Sequence, residues 1–448
     1  MTQTCLCSLS VLFAASVWSA CGGSPAPGAA QPPDPAESPG SSQSSSNPQS
    51  PGATSSPAGS GAPAEPGDRV LEGNPTATLP ATGSGGAAGA SGGPMNSGPV
   101  AGAVEPTDCV IPAPSSTPIG YGAATTGGGD ASPVLVASFE EAQAALEAYR
   151  DAFKDGAQRA LVLRYTGHFD YATITDVCAQ HTKDAQTLDI KEMENVTFEG
   201  APGSSANFGL HINRARNVIV RNMTLGLLPG GGSSDAISIE GNGTNGDVEN
   251  VWIDHNELFS STKDDCDGAG DTEFDGLIDV KKGARRITIS YNYLHDHQKT
   301  GLIGSSDSDD TERYITFHHN RYENVVSRTP LQRFGFIHLF NNYYGQILSS
   351  GINVRMGGVA LIEANFFENA ANPITSRYSD EVGFWDLRDN HVGPGITWTT
   401  ESDTLANADS WQSTTSFPAA ELAYAYTPDR AECVKQIVLA TAGAKLTD

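Results

Sequence analysis

Val251-Trp252-Ile253-Asp254-His255-Asn256 is an alternating apolar run that ends in asparagine, and its pattern recurs four more times along the chain. The recurrences end at Asn292, Asn320, Asn342 and Asn365, at intervals of 36, 28, 22 and 23 residues. An interval of 22 residues is too short for a strand, a crossover helix and a second strand, but it suits one coil of a parallel β-solenoid. The longer intervals then correspond to loops inserted on one side. The repeat therefore predicts an all-β solenoid.

The repeated asparagine has a physical use at the corner of a coil. Asparagine tolerates left-handed backbone, and its amide can stack with the amide of the next coil. Further apolar runs at 188–190, 196–198, 218–220 and 223–225 predict earlier coils. An all-β sandwich is the alternative, because it also has many short strands at regular spacing. Sandwich strands are usually joined by hairpin turns such as Asn-Gly. In this chain such pairs occur mainly at Asn242-Gly243 and Asn245-Gly246, and their scarcity favours the solenoid.

One helix is predicted from Ser138 to about Phe153. Ser138 and Glu141 have the spacing of a capping box. The apolar residues of this segment keep helical spacing along one face: Phe139, Ala142, Leu146, Tyr149 and Phe153. We therefore expect a short N-terminal helix that covers one end of the solenoid.

Composition divides the chain of 448 residues into unequal parts. Between Gly22 and Asp108, 62 of 87 residues are Gly, Pro, Ser or Ala, and such a segment cannot bury enough apolar surface to offset its ordering entropy. The first twenty residues contain an apolar run and end in small residues, which predicts an export signal. We expect a signal peptide at 1–20, a disordered tether at 21–108 and one domain at 109–448.

Cys21 follows the predicted signal and precedes Gly22-Gly23-Ser24, an arrangement that resembles a bacterial lipoprotein acylated at that cysteine. We therefore expect a secreted or cell-surface lipoprotein outside the bacterial cytoplasm, anchored at Cys21, with ordinary secretion as the alternative. Beyond the signal, the tether and the domain contain four further cysteines, which allow three pairings in an oxidising compartment. They are Cys109, Cys178, Cys266 and Cys433.

The formal net charge of −26 excludes a generic nucleic-acid binder, because such binding depends on basic surface. Within this acidic chain, three aspartates are candidate metal ligands. Asp275 and Asp279 can point to the same face of a strand as Lys281, and Asp235 opens an earlier coil. Carboxylates on one face repel each other unless a cation joins them, and oxygen ligands favour Ca²⁺. A solvated acidic face is the alternative.

A basic group lies in the same part of the sequence: Lys281, Lys299, Arg328, Arg333 and Arg355. Surface ion pairs would account for any one of these residues. They account less well for arginines close to Leu331, Phe334 and Phe336, because an arginine in apolar surroundings usually has an anionic partner.

Several stretches, in order, resemble the extracellular pectate lyases of the first polysaccharide-lyase family. The resemblance covers about Gly120 to Asn390 and rests on residues 203–209, 227–231, 251–256, 279–281, 287–292 and 328–333. It implies a right-handed, single-stranded parallel β-helix, in agreement with the usual handedness of parallel crossovers.

The resemblance also implies roles for single residues. It makes Asp235, Asp275 and Asp279 calcium ligands, Arg328 the catalytic base, and Lys281, Lys299, Arg333 and Arg355 partners of the substrate carboxylates. It implies a disulfide between Cys178 and Cys266, which leaves Cys109 and Cys433 as a possible second pair. Asp275 stands where many relatives have Glu, and a family Asp near Ser233 is missing, so calcium is expected to bind more weakly before substrate arrives.

The implied reaction is β-elimination in polygalacturonate, an α-1,4-galacturonan, with Ca²⁺ as cofactor. The C5 proton is removed and the oxygen at C4 leaves, which gives 4,5-unsaturated oligogalacturonides. We expect pectin polysaccharide as the partner, no nucleic acid, and a monomer. One alternative is a pectin lyase acting on methylated pectin, although such enzymes tend to lose the acidic cluster. The other is a non-catalytic, polysaccharide-binding β-helix, which should lack the ordered Asp, Lys and Arg set.

Overall fold

The computed structural model describes residues 106–157, 159–263, 266, 274–399, 404–407 and 411–447. The predicted signal peptide, the Cys21 anchor and nearly all of the predicted tether lie outside these residues. The boundary at residue 109 therefore stays a prediction. No helix in the described part of the chain is long and apolar enough to cross a membrane.

The described chain winds through three sheets in turn. The first sheet has ten strands: Val134–Val136, Leu161–Tyr165, Glu194–Gly200, Arg216–Arg221, Val248–Asp254, Ala284–Ser290, Tyr314–His318, Phe336–Phe340, Val359–Glu363 and Phe384–Arg388. The second has nine: Thr187–Lys191, Gly209–Asn213, Ile237–Glu240, Ile278–Lys281, Gly301–Ile303, Leu331–Arg333, Ile352–Arg355, Ile374–Arg377 and Thr404–Asn407. The third has eight: Ser205–Ala206, Thr224–Gly226, Glu257–Phe259, Tyr293–Lys299, Arg321–Ser327, Tyr343–Ile347, Phe366–Ala370 and His391–Val392.

Each sheet adds its strands in chain order, because from Glu194–Gly200 onward every turn of the chain passes through all three sheets before it returns. The paired strands are parallel, except that Thr404–Asn407 runs antiparallel to Ile374–Arg377. The chain is a right-handed parallel β-helix, as predicted, and the sandwich alternative is wrong.

The interior is built by the alternating apolar residues of the repeat. Val251 is aligned with Ile287 of the next coil, and Ile287 with Ile315. These side chains are fully buried in one continuous core. Similar side chains therefore stack along the axis, and apolar burial is repeated from coil to coil.

The predicted asparagine stack is present. The side-chain amide of each repeat asparagine donates to the amide oxygen of the next, at 2.9 Å from Asn256 to Asn292 and 3.0 Å from Asn292 to Asn320. The stack continues through Asn342 and Asn365 to Asn390.

The prediction that the asparagine itself adopts the left-handed conformation is wrong by one residue. The positive φ angles belong to the residue before each asparagine: His255, Tyr291, His319, Asn341 and Ala364. The corner is turned at that preceding position, and this leaves the asparagine free to pair along the axis.

The predicted helix is Phe139–Lys154, and Ser138 caps it by accepting a hydrogen bond from the Glu141 backbone N–H at 3.2 Å. It packs on the first strands of the solenoid, with Phe139 against Phe208 at 5.5 Å between ring centroids. The other helices are Cys178–His181 and Ala431–Thr441, and short 3₁₀ turns cover Tyr171–Thr173, Gly231–Ser233 and Ala419–Glu421.

Both predicted disulfides are formed. Cys178 is bonded to Cys266, and Cys109 is bonded to Cys433 in the C-terminal helix. The second bond joins the beginning and the end of the described domain across 324 residues of sequence.

Candidate active site

The eight predicted site residues lie on strands of the second sheet, in the segments that lead into those strands or, in the case of Lys299, at the end of a strand of the third sheet. We call this set the charged flank: Asp235, Asp275, Asp279, Lys281, Lys299, Arg328, Arg333 and Arg355. Strand alternation explains the placement on the second sheet. Ile278 and Val280 point into the core, so Asp279 and Lys281 point outward.

The centre of the charged flank is an ammonium between two buried carboxylates. Lys281 Nζ lies 2.8 Å from Asp235 Oδ2 and 2.9 Å from Asp279 Oδ2. The other oxygen of each aspartate accepts a backbone N–H, from Gly276 at 3.0 Å for Asp235 and from Leu302 at 3.1 Å for Asp279. Neighbouring coils therefore fix both carboxylates.

Gly276 shows how closely these oxygens converge. A Cβ atom at this position would lie 2.2 Å from Asp279 Oδ1 and 3.1 Å from Asp235 Oδ1. The position is therefore restricted to glycine by the approach of two carboxylate oxygens.

The electrostatics of this centre favour an additional cation. Burial raises the pKa of Asp235, and the negative charges of Asp279 and Asp275 raise it further against the effect of Lys281. Burial lowers the pKa of Lys281, but the same carboxylates raise it by more, so its ammonium is held charged. When both aspartates are ionised, Asp235, Asp279 and Lys281 carry one net negative charge, which an additional cation would offset.

The donor set fits a hard cation such as Ca²⁺, because Asp235, Asp275 and Asp279 offer only oxygen atoms. Within the described residues, however, no group of three His, Cys, Asp or Glu side chains has the geometry of a formed metal site. Asp275 is the outlying member: its side chain is 31% exposed, and its Oδ1 lies 3.5 Å from Lys299 Nζ.

Arg328 lies in the turn between the third and second sheets, one coil from Lys299. Its neighbour Ser327 is aligned with Lys299, and Ser327 Oγ donates to the Gln298 carbonyl at 3.0 Å. Arg328 has a φ of 64°, the left-handed conformation that residues at other turns of this solenoid also adopt. Its Nε is buried and has no hydrogen-bond partner among the described residues.

Arg333 and Arg355 are aligned with each other on adjacent strands of the second sheet. Each is only 2% exposed. Arg333 Nε donates to Asp307 Oδ1 at 2.6 Å, and the Arg355 guanidinium lies 5.9 Å from the Tyr378 ring centroid. Two buried guanidiniums, one of them paired with Asp307, therefore lie side by side on the second sheet.

The sequence did not indicate Asp307 as a functional residue. It lies in the acidic segment Asp307-Ser308-Asp309-Asp310, where nothing in the spacing distinguishes one aspartate from another. Only the folded loop shows that Asp307 contacts Arg333.

Trp252, Asp254 and His255 belong to a buried hydrogen-bond network. Trp252 Nε1 donates to Ser290 Oγ at 2.8 Å, and Asp254 contacts both Ser290 Oγ and His255 Nδ1 at 2.8 Å. These residues belong to the first sheet and not to the charged flank.

The chain matches known proteins over the described domain. The sequence model of a family described as pectate lyase matches residues 98–446. Pectate lyase 1 of Pectobacterium carotovorum is 44% identical over 344 residues, which are 72% of this chain and 89% of that protein. Pectate lyase II of Xanthomonas campestris has a solved structure with 52% identity and a TM-score of 0.69, covering 73% of this chain and 98% of that one.

Pectate lyase C of Erwinia chrysanthemi is 40% identical, with a TM-score of 0.65 over 73% of this chain and 96% of that one. Its solved structures include one at pH 9.5 with 30 mM Ca²⁺ and an Arg-to-Lys variant in complex with pentagalacturonic acid. The family match spans the part of the chain that contains the charged flank as well as the scaffold. The chain therefore belongs to the pectate lyase family and is a polysaccharide lyase.

Proposed function

We propose that the protein cleaves unmethylated polygalacturonate by calcium-assisted β-elimination at the charged flank. The observation that carries this proposal is the ordered alternation of acids and bases there: the Asp235–Lys281–Asp279 contacts, followed along the sheet by Arg333 and Arg355. An anionic polymer needs positive charge to bind, and a pectate lyase also needs acidic groups to hold a metal.

The lysines and arginines bind and orient the uronate carboxylates in this proposal. Arg333 and Arg355 are buried, so their guanidiniums lie in surroundings of low polarity, where pairing with a carboxylate is stronger than in water. Lys299, at the end of a strand of the third sheet, places a third cation near Asp275. The substrate would then lie along the axis of the solenoid, across several coils.

Asp235, Asp275 and Asp279 would hold the Ca²⁺ ion, which, when bound, neutralises substrate carboxylate charge and so favours loss of the C5 proton. The converging oxygens at Gly276 support this assignment. Asp275 is expected to complete the site when substrate binds, because its carboxylate is the most exposed of the three.

Arg328 is the proposed base that takes the C5 proton. Only a neutral guanidine can accept a proton, so this role requires Arg328 to be neutral when the C5 proton is transferred. The buried, unpaired Nε and the position next to the Lys299 coil support this role. After proton removal, the oxygen at C4 leaves and a 4,5 double bond forms, so water is not consumed.

A direct test measures ultraviolet absorbance of the unsaturated product on two substrates, polygalacturonate and fully methylated pectin, each with EDTA or added Ca²⁺. We expect product from polygalacturonate that EDTA abolishes and Ca²⁺ restores. Product from methylated pectin in EDTA would indicate a pectin lyase. Absence of product from both substrates would indicate a non-catalytic binding protein.

We also propose that the domain is exported as a monomer and tethered through Cys21. The export signal, the Gly/Pro/Ser/Ala-rich segment and the two disulfides support an oxidising location outside the cytoplasm. Mass spectrometry of the mature N-terminus tests the anchor: an acylated Cys21 is expected, and an unmodified N-terminus would contradict it.

A further inference from the structure

The carboxylate of Asp307 is a hydrogen-bond and ion-pair partner of the Arg333 guanidinium. Arg333 Nε donates to Asp307 Oδ1 at 2.6 Å, and Arg333 Nη1 donates to the Gly304 carbonyl at 3.2 Å. The arginine side chain is 2% exposed, whereas that of Asp307 is 36% exposed. The contact therefore joins a buried guanidinium to a partly exposed carboxylate.

The loop that carries Asp307 is itself fixed. Asp309, two residues later, accepts the backbone N–H groups of Ser305 at 2.8 Å and Lys282 at 3.0 Å, and it pairs with the buried Arg313. These bonds tie the loop to the end of the strand that contains Lys281. Asp307 is therefore presented to Arg333 by a constrained backbone, which distinguishes this contact from an ordinary surface ion pair.

Gly304 completes the arrangement on the other side of the arginine. Its φ is +89°, and a Cβ atom there would lie 3.0 Å from Arg333 Cβ. Glycine thus lets the Arg333 side chain lie against the backbone of the neighbouring strand. The plane of the guanidinium is fixed by two acceptors, the Gly304 carbonyl and the Asp307 carboxylate.

We propose that Asp307 is a positioning residue for substrate binding, which acts by orienting Arg333. This inference rests on the proposed function, in which Arg333 pairs with a uronate carboxylate. A guanidinium pairs well with a carboxylate only when its planar N–H groups face the oxygens, so its orientation determines the strength of the pair.

The sign of the effect separates positioning from simple electrostatics. Asp307 is an anion beside the binding site of a polyanion, so by charge alone its removal should strengthen substrate binding. A positioning role predicts the opposite, because loss of the acceptor releases the guanidinium. An increase in KM on removal of a negative charge is therefore the signature of positioning.

The experiment compares three variants on polygalacturonate. For Asp307→Ala we expect KM to rise about threefold to tenfold with kcat changed less than about twofold, the effect of one charge-assisted hydrogen bond on binding. Asp307→Asn keeps an oxygen acceptor for Arg333 Nε, so its KM should stay within about twofold of the wild-type value. Asp310→Asn removes an exposed charge from the same loop and serves as the matched control, with KM unchanged or lower.

Asp307→Glu keeps the charge but moves the carboxylate by one methylene, and it provides the test if Asp307→Ala does not fold by circular dichroism. Its KM should also rise. An Asp307→Ala or Asp307→Glu enzyme with unchanged or lower KM, or one that loses kcat instead, would overturn the proposal.

A double-mutant cycle with Arg333→Lys tests whether Asp307 affects KM through Arg333. If Asp307 acts through Arg333, Asp307→Ala should change KM less than about twofold in the Arg333→Lys background. An undiminished rise would overturn the proposal. Wild-type protein that makes no unsaturated product would overturn both this inference and the proposed function, whereas an active wild type with a normal Asp307→Ala enzyme overturns this inference alone.

Discussion

Two flanks of the same solenoid differ in the side chains that they stack along the axis. The asparagine flank, where the chain turns from the first sheet to the third, places the same neutral side chain in successive coils and buries it completely. The charged flank, on the outer face of the second sheet and in the segments that lead into it, carries carboxylates in some coils and cations in others. The asparagine side chains hydrogen-bond to one another, whereas the aspartates of the charged flank pair with cationic side chains.

The difference shows which part of the repeat carries the fold and which carries the chemistry. An amide is both donor and acceptor, so a column of asparagines satisfies its own hydrogen bonds along the axis. A carboxylate is only an acceptor and an ammonium only a donor, so a column of either would repel. The charged flank must therefore depart from the repeat, and that departure provides sites for a cation and an anionic polymer.

The largest expected effect is on the charged flank, from replacement of the proposed base. Arg328→Ala should lower kcat on polygalacturonate about a thousandfold, since a positioned general base contributes on this scale. The free energy of unfolding should change little. Arg286→Ala, a variant of an exposed arginine on the first sheet, is the control and should keep wild-type kcat. Near-normal turnover by Arg328→Ala would refute the assignment.

Replacement of a carboxylate should weaken metal binding without unfolding the domain. Asp279→Asn keeps an oxygen that can accept the Leu302 N–H but removes a charge beside Lys281. We expect Ca²⁺ affinity, measured by isothermal titration calorimetry, to fall about tenfold or more, because affinity follows ligand charge. Asp189→Asn, at an exposed site outside the charged flank, should bind Ca²⁺ as the wild type does. Equal affinity in all three proteins would show that Asp279 is not a ligand.

On the asparagine flank we expect substitutions to lower stability strongly and to change kcat little, the opposite of the charged flank. Asn320→Ala leaves buried partners on Asn292 and Asn342 unsatisfied, so the free energy of unfolding in urea should fall by about 3 kcal/mol. Asn390→Ala, at the less buried end of the stack, should cost about 1 kcal/mol. The kcat of both folded enzymes should stay within about twofold of wild type. A loss of kcat comparable to that of Arg328→Ala would remove the distinction between the flanks.

The smallest effect concerns the loop beside the charged flank. Although burial opposes ionisation, Arg313 and backbone N–H groups lower the pKa of Asp309 to about 2, from an ordinary 3.8. A depressed folded-state pKa gives stability that is present above the unfolded pKa and lost as pH falls toward the folded one. The stability advantage of wild type over Asp309→Asn should therefore shrink by about 1 kcal/mol between pH 7 and pH 3. An advantage independent of pH would contradict the role of the charge.

The fold was predictable because its determinants repeat. The spacing of Asn256, Asn292 and Asn320 indicates coils of variable length, and alternation identifies the core positions. The left-handed position was not predictable from residue type, since histidine, tyrosine and alanine all adopt it. The geometry of the corner imposes that conformation, and the side chains tolerate it.

The charged flank was predictable as a set of residues but not as a set of contacts. Inserted loops change the coil length, so the alignment of Arg333 with Arg355 and the convergence of Asp235 and Asp279 at Gly276 appear only in the folded chain. Asp307 had no signal in the sequence, because its role depends on the loop that Asp309 holds in place.

The most direct test of the central claim is the mass of the products made from a defined oligogalacturonate, such as pentagalacturonate, in the presence of Ca²⁺. Elimination consumes no water, so the masses of each pair of fragments should sum to the mass of the substrate, with one fragment unsaturated. Fragments whose masses sum to that of the substrate plus one water would indicate hydrolysis and contradict the account.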